Sequence, residues 1–430
     1  MLEGKIAGAL RDAVDRGFDQ QVNFTAELVK FPSLRGAEAS AQDFVASEFR
    51  ARGLDVDRWH IELEDIKHLH GFSPVCVDYS NAINVVGSHR ARNPTGRSLI
   101  LNGHIDVVPI GPTDMWTSPP FQPRIENGWM YGRGAGDMKA GIAAMVFALD
   151  AIRRAGYQPG ADIHLQSVVE EECTGNGALA CVARGYRADA AIIPEPFNNT
   201  LTRAQVGVLW LQITVRGMPV HVLEAKAGAN AIEASFEIMQ ALHQLEEKWN
   251  AQRHEHEHFG HLEHPINFNV GKIAGGDWAS SVPAWCTFDL RVGIYPGQDP
   301  AIKLAEVSEC VMQAAQRQPF LRKHPPQIVN HGMRAWGYVL PKADAADAAE
   351  SVLKRSHQTA FDGAALQVQT STGATDARAL GQVGSTPSLV YGPRAESIHG
   401  FDERVELDSM RRVTQTIALF IAEWCGLAPP

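Results

Sequence analysis

The sequence predicts an α/β protein with a mostly parallel sheet, into which a smaller α+β unit is inserted. Three observations carry this. Strand-like apolar runs alternate with helical runs through the first half of the chain. After Leu201 the order changes to strand–helix–strand–strand–helix, and from about Ala343 the alternating style returns. The expected boundaries are 1–203 with 333–430 for the larger unit and 204–332 for the insertion. Length agrees, because 430 residues exceed what one hydrophobic core ordinarily serves.

Each element has its own signal. Apolar spacing over Val22–Val29 suits a helix that Pro32 would end. "AINVVG" (Ala82–Gly87) and "SLILNGHIDVV" (Ser98–Val108) are apolar enough for buried strands. Lys139–Gly156 is a helix with a glycine stop, followed by strands at Asp162–Val169 and Ala190–Pro196. Within the insertion, Val206–Gly217 alternates like a half-exposed strand and Asn230–Trp249 reads as a long helix. "INFNVGKIAGG" and "AWCTFDLRVGI" are strands, and a helix runs from Pro300 to about Gln316. The final stretch reads as helix, "LQVQTST", helix, "PSLVYG", and a last helix over Ser409–Trp424.

Composition removes several function classes. A net charge of −10 speaks against nucleic acid, whose phosphates need a basic surface. No apolar stretch approaches the ~18 residues of a membrane span, and the charged N-terminus lacks a signal peptide's apolar core. The cysteines Cys76, Cys173, Cys181, Cys286, Cys310 and Cys425 are scattered with no Cys-x-x-Cys pair, which suits the reducing cytoplasm.

Five stretches fall where strands end, and in open α/β sheets that rim binds ligands. In "NGHIDVVP", His104 and Asp106 are two apart and point to one side. They fit a metal ligand with an orienting carboxylate, although taken alone the pair reads more simply as a buried histidine satisfied by its neighbour. In "YGRGAGDMKAG", Asp137 sits where an N-cap is common, and Lys139-Ala140 breaks the phosphate-loop pattern. The run Glu170-Glu171-Glu172 follows an apolar strand, Glu195 lies in "IIPEP", and His399 in "SIHGFDE". Singly these are ordinary. Together, two histidines and several carboxylates at one rim offer the mixed N/O donors that hold Zn²⁺, with Co²⁺ or Mn²⁺ as alternatives.

The ordered set "GHIDVVP", "GRGAGDMKAG", "EEECTGNGA", "PEP", "VRGMPVHVLEAKAGANAIEA", "GGDWASSVP" and "IHGFDE" resembles the M20 metallopeptidases. That group includes acetylornithine deacetylase, succinyl-diaminopimelate desuccinylase, aminoacylase-1 and carboxypeptidase G2. The resemblance spans almost the whole chain. It implies a two-zinc catalytic domain with an inserted lid, paired into a homodimer through that lid.

Carried across by position, it makes His104, Asp137 and Glu195 ligands of one metal, with Asp137 bridging to a second held by Glu172 and His399. Asp106 would orient His104, Glu171 would be the general base, and Glu170 would stand in support where relatives have aspartate. His221 resembles the lid histidine that steadies an oxyanion, often from the partner subunit. Arg291 resembles a lid arginine that takes a substrate carboxylate. Asn230 lies near the same pocket, although opening a helix explains it as well. Arg394 stands where relatives often have glycine, and either contacts substrate or faces solvent. Trp278 either lines the pocket or packs within the lid.

The implied reaction is hydrolysis of a small N-acyl amino acid. Dipeptidase or carboxypeptidase action, or hydrolysis of another C–N bond in a carbamoyl or aromatic amine compound, would use the same site. An inactive scaffold would have lost Glu171 or a ligand, and every position is filled. One more stretch, "RHEHEHFGHLEH" (Arg253–His264), is the densest in histidine and reads as a solvated loop.

Overall fold

The computed structural model describes residues 2–75 and 77–429; Cys76 lies outside them. A nine-stranded sheet organises the larger part. Its centre is parallel: Ile163–Val168, Leu99–His104, Ala190–Ile193 and Ser388–Val390 lie side by side in that order. These four strands are buried throughout, as parallel strands covered on both faces must be. Beyond Ile163–Val168 the sheet continues antiparallel through Ile83–His89 to the edge strand Asp55–His60. On the other side Leu201–Gln205 pairs with Val368–Ser371 in parallel and with Tyr338–Val339 antiparallel.

Four long helices form one packed layer. Leu407–Trp424 lies between Ala140–Arg154 and Asp344–Ala360, and Gly4–Val29 rests on the first two. The alanine-rich Ala140–Arg154 is buried almost all round, which its small side chains permit. Gly4–Val29 begins eighteen residues earlier than the predicted Val22. Leu10, Val14, Phe24 and Leu28 form its buried stripe, and the charges that hid it face solvent.

The chain leaves this sheet after Gln205 and enters a second, all-antiparallel one at Gly207. Its order is Phe268–Gly275, Trp285–Ile294, Gly207–Arg216 and Gln327–Ala335. Helices Ala231–Ala251 and Pro300–Ala315 cover one face, and Leu209, Leu211, Ile213, Phe288 and Leu290 form a separate core beneath them. The polar strand Gln327–Ala335 had no apolar alternation to announce it. The helix expected between "LQVQTST" and "PSLVYG" is present as the short π-helix Ala379–Val383.

A third, small sheet joins Arg124–Glu126, Trp129–Tyr131, Arg404–Glu406 and Ala395–Glu396, and it presents the turn that carries His399. Five described cysteines are free thiols. Among the described residues no helix is long and apolar enough to cross a membrane.

Candidate metal centre

The three adjacent parallel strands Ile163–Val168, Leu99–His104 and Ala190–Ile193 end at one edge, with His104 opposite Val168. The turns leaving these strands are therefore neighbours. His104 and Asp106 come from the Leu99–His104 strand end, Glu170–Glu172 from the turn after Val168, and Glu195 from the turn after Ile193. Asp137 arrives from the turn before the Ala140–Arg154 helix, and its peptide bond to Met138 is cis. His399, at φ +61° in a tight turn, closes the group from the small sheet.

The cluster divides about Asp137. Its Oδ1 lies 3.1 Å from His104 Nε2, while its Oδ2 lies 3.4 Å from His399 Nε2. Glu195 Oε1 is 3.7 Å from the His104 nitrogen, and Glu172 Oε2 is 3.2 Å from that of His399. One carboxylate thus faces two histidines, each with a second carboxylate beside it. Donor atoms of His104, Asp137 and Glu172, and likewise of His104, Glu171 and Glu195, lie within 4.8 Å of one another.

Electrostatics agree with a demand for positive charge. Burial alone would neutralise His104, but the Glu195 and Asp137 carboxylates hold its pKa well above the usual histidine range. The Glu172 carboxylate, then Asp137, raises His399 to about 11 against its burial. Burial pushes Glu195 and Glu171 well above ordinary glutamates, with His104 opposing. Hydrogen bonds from both histidines overcome burial at Asp137 and hold it low. Oxygen and imidazole donors packed this closely fit two divalent cations that share one carboxylate.

Glu170, Glu171 and Glu172 separate at the backbone. Glu170 adopts φ +68°, so the chain bends there. Its carboxylate turns inward to Arg35 at 2.5 and 2.8 Å, Tyr79 Oη at 2.6 Å and Thr174 Oγ1 at 2.9 Å. Glu172 reaches His399. Glu171 stays buried, its Oε1 without a hydrogen-bond partner among the described residues and 4.0 Å from Arg378 Nη1. Asp106 works differently from expectation. His104 Nδ1 meets its main-chain oxygen at 2.9 Å and its carboxylate only at 3.6 Å. That carboxylate instead accepts from the amides of Glu171 (3.4 Å) and Glu172 (3.1 Å).

The remaining candidates have partners of their own. His221 is exposed, with Nδ1 accepting from the Leu223 amide at 3.1 Å. Asn230 caps the Ala231–Ala251 helix, its Oδ1 accepting from Ile232 (3.0 Å) and Glu233 (3.2 Å). With the exposed Trp278 it lines a 560 Å³ cavity of the second sheet. Arg291 donates to the Thr372 carbonyl at 2.9 Å and has no carboxylate partner among the described residues. Arg394 pairs with Glu396 at 2.7 Å and stacks over Trp129. In the histidine-rich run, His256 stacks on Tyr295 at 3.7 Å and His264 bonds Glu246 at 3.0 Å. Among the described residues no metal-compatible group forms there.

Sequence reasoning assigned nothing to Glu403, Arg133, Arg378 or Asp376, all buried around the cluster. Glu403 stands in the quoted "IHGFDE", so its place was visible, but its partner Arg133 lies 270 residues away.

Residues 100–423 match the sequence pattern of peptidase family M20/M25/M40. The chain is a member of this family. As an M20 hydrolase it acts on amide C–N bonds. It is 29% identical over 434 residues to the N-formyl-4-amino-5-aminomethyl-2-methylpyrimidine deformylase of Halalkalibacterium halodurans, covering 96% of each. It is 28% identical over 365 residues to the succinyl-diaminopimelate desuccinylase of Dechloromonas aromatica, covering 82% of this chain and 89% of that one. This M20 chain shares its fold with the dipeptidase Dug1p of Saccharomyces cerevisiae, at TM-score 0.77 and 15% identity over 97% and 98% of the two chains.

Proposed function

We propose that the protein removes a small acyl group from the nitrogen of a small molecule, with formyl as the first acyl group to test. The observation that carries this is Asp137 facing both His104 and His399, with the unpartnered Glu171 Oε1 beside them. The near-complete overlap with a deformylase supports a formyl group.

In this reading His104, Asp137 and Glu195 hold one cation, and Asp137, Glu172 and His399 the other, zinc being preferred over cobalt or manganese for mixed N/O donors. Bound there, the cations would supply Lewis acidity, lowering the pKa of water and polarising the acyl carbonyl. Glu171 takes a proton from the attacking water and returns it to the leaving nitrogen. Asp106 steadies this exchange by gripping the Glu171 and Glu172 amides. Residues 204–332 act as a lid and as the surface of a homodimer, from whose other copy a second His221 reaches the oxyanion. Asn230, whose amide nitrogen is not used in capping, and Arg394, half exposed beside Glu396, lie among candidate substrate contacts. The free thiols support a cytoplasmic setting.

A second reading, deacylation of an amino acid or cleavage of a dipeptide, is favoured by Arg291. A half-buried guanidinium without an acidic partner among the described residues suits a substrate carboxylate, which a neutral aminopyrimidine lacks. The deciding experiment loads the enzyme with zinc and offers N-formyl aminomethylpyrimidine, N-formyl, N-acetyl and N-succinyl amino acids, and dipeptides. Preference for the pyrimidine selects the first reading. Preference for carboxylate substrates, abolished as a KM effect in Arg291→Ala, selects the second. Hydrolysis of none of them rejects both.

A further inference from the structure

The turn that delivers His399 continues directly into Asp402 and Glu403, and each of these carboxylates is spent on a different neighbour. Asp402 receives the Thr117 amide at 2.9 Å and the Thr117 hydroxyl at 2.6 Å. Beside it the Phe401 ring packs edge-on against Trp116, with centroids 6.1 Å apart. Trp116 is itself pinned by its indole N–H to the Ile110 carbonyl at 2.8 Å. The segment 110–117 follows the strand that carries His104, so Phe401 and Asp402 tie the His399 turn to the His104 side of the centre.

Glu403 turns the other way. Its Oε1 accepts from the amides of Gly136 and Asp137, both at 3.0 Å, and its Oε2 meets Arg133 Nη1 at 2.6 Å. Arg133 and Glu403 are both almost fully buried, so the pair is a fixed strut. Arg133 also donates to the Pro109 carbonyl at 3.2 Å and lies over the Trp116 ring. One short stretch therefore holds the backbone of the shared ligand Asp137 and the base of His399, whose imidazole remains 54% exposed.

We propose that Asp402 is a positioning residue that keeps His399 in register with Asp137 and so governs retention of the second cation specifically, while Glu403, with Arg133, holds the shared ligand Asp137 and so governs retention of both. This rests on the ligand assignment above. Neither residue touches substrate or a reacting atom. His104 ends one strand of the large sheet and Glu195 follows another, so loss of the Asp402 contact spares the first cation. Partners that orient a ligand in this way commonly change metal affinity roughly 10–100-fold.

The test titrates zinc-loaded protein with a chromogenic chelator and resolves the two dissociation steps. Asp402→Ala acts on an exposed contact and leaves the buried strut alone. It is expected to weaken one step by roughly tenfold or more and leave the other within twofold. Asp402→Asn, which keeps an acceptor for the Thr117 amide, should recover most of that loss. Glu403→Gln should weaken both steps, because Asp137 is shared. His399→Ala serves as the reference, because it should abolish that step outright. If His399→Ala leaves both steps intact, the ligand assignment fails. If it removes one step while Asp402→Ala changes neither or both equally, or while Glu403→Gln changes neither, the positioning role is overturned. Thermal unfolding of each variant separates loss of fold from loss of one cation, and Asp402→Ala keeps the question decidable if Glu403→Gln does not fold.

Discussion

Glu170 spends its side chain on Arg35, Tyr79 and Thr174, and its left-handed backbone sets the course of the next two residues. A regular strand would send Glu171 and Glu172 to opposite faces of the sheet. The bend lets one face His399 and the other stay enclosed near Arg378. Glu171→Gln should retain both cations in the chelator titration while turnover falls about 10²–10⁴-fold, the usual worth of a general base. Turnover within tenfold of the parent would remove Glu171 from the mechanism. Gly392 is a second constrained residue, since a Cβ there would strike the Pro194 and Glu195 carbonyls. Gly392→Ala should cost about 1–3 kcal/mol in urea unfolding and displace Glu195. An unchanged midpoint would show that this strand end can yield.

Among elements, the buried layer between sheet and helices carries its own pH dependence. Burial, with Arg90 nearby, lowers the His164 pKa to about 4, and burial lowers His357 to about 4. His164 bonds Ser88 Oγ at 2.8 Å, and His357 bonds Tyr391 Oη at 2.8 Å. In the unfolded chain each titrates near 6.5, so on acidification that state takes protons first. Stability is full above about pH 6.5 and is lost as pH falls toward 4, by at most about 1.4 kcal/mol per pH unit for each histidine. His357→Gln should flatten this slope in urea unfolding between pH 4 and 6.5. A slope unchanged by that variant would assign the pH dependence elsewhere. Elements of this kind differ in how far sequence reveals them. Ala190–Ile193 was legible because burial on both faces makes it a continuous apolar run, and Ile163–Val168 because Ile163, Leu165 and Val168 anchor a strand-length segment ahead of a turn. Asp55–His60, an edge strand with mixed residues, carries no such mark. The donors His104, Glu172 and Glu195 could be read because each follows an apolar strand. The Arg133–Glu403 strut could not, because nothing local in either residue names a partner so distant in the chain.

At the scale of the whole molecule, two sheets with separate cores meet near the centre, and Arg291 of one donates to the Thr372 carbonyl of the other. If the second sheet is the lid, Arg291→Ala should raise KM for a carboxylate substrate more than it lowers kcat. The opposite split would place Arg291 with the reacting atoms. Stripping the cations should lower the Tm of the large sheet most, because ligands that bind only the folded state stabilise it by mass action.

The passage between the sheets has a further consequence. The chain departs at Gln205 and comes back at Tyr338, and those two residues are direct antiparallel partners. To the large sheet, everything from 206 to 337 is the tip of a single β-hairpin. A two-residue Asn-Gly turn spans such a pair. Replacing 206–337 with it should leave a soluble, cooperatively unfolding miniature that still binds cations and hydrolyses its substrate poorly. Growth of a tip outward from a hairpin disturbs no register behind it. The strand order around the metal centre is therefore indifferent to what the hairpin carries, and the inserted unit can be exchanged without rebuilding that centre.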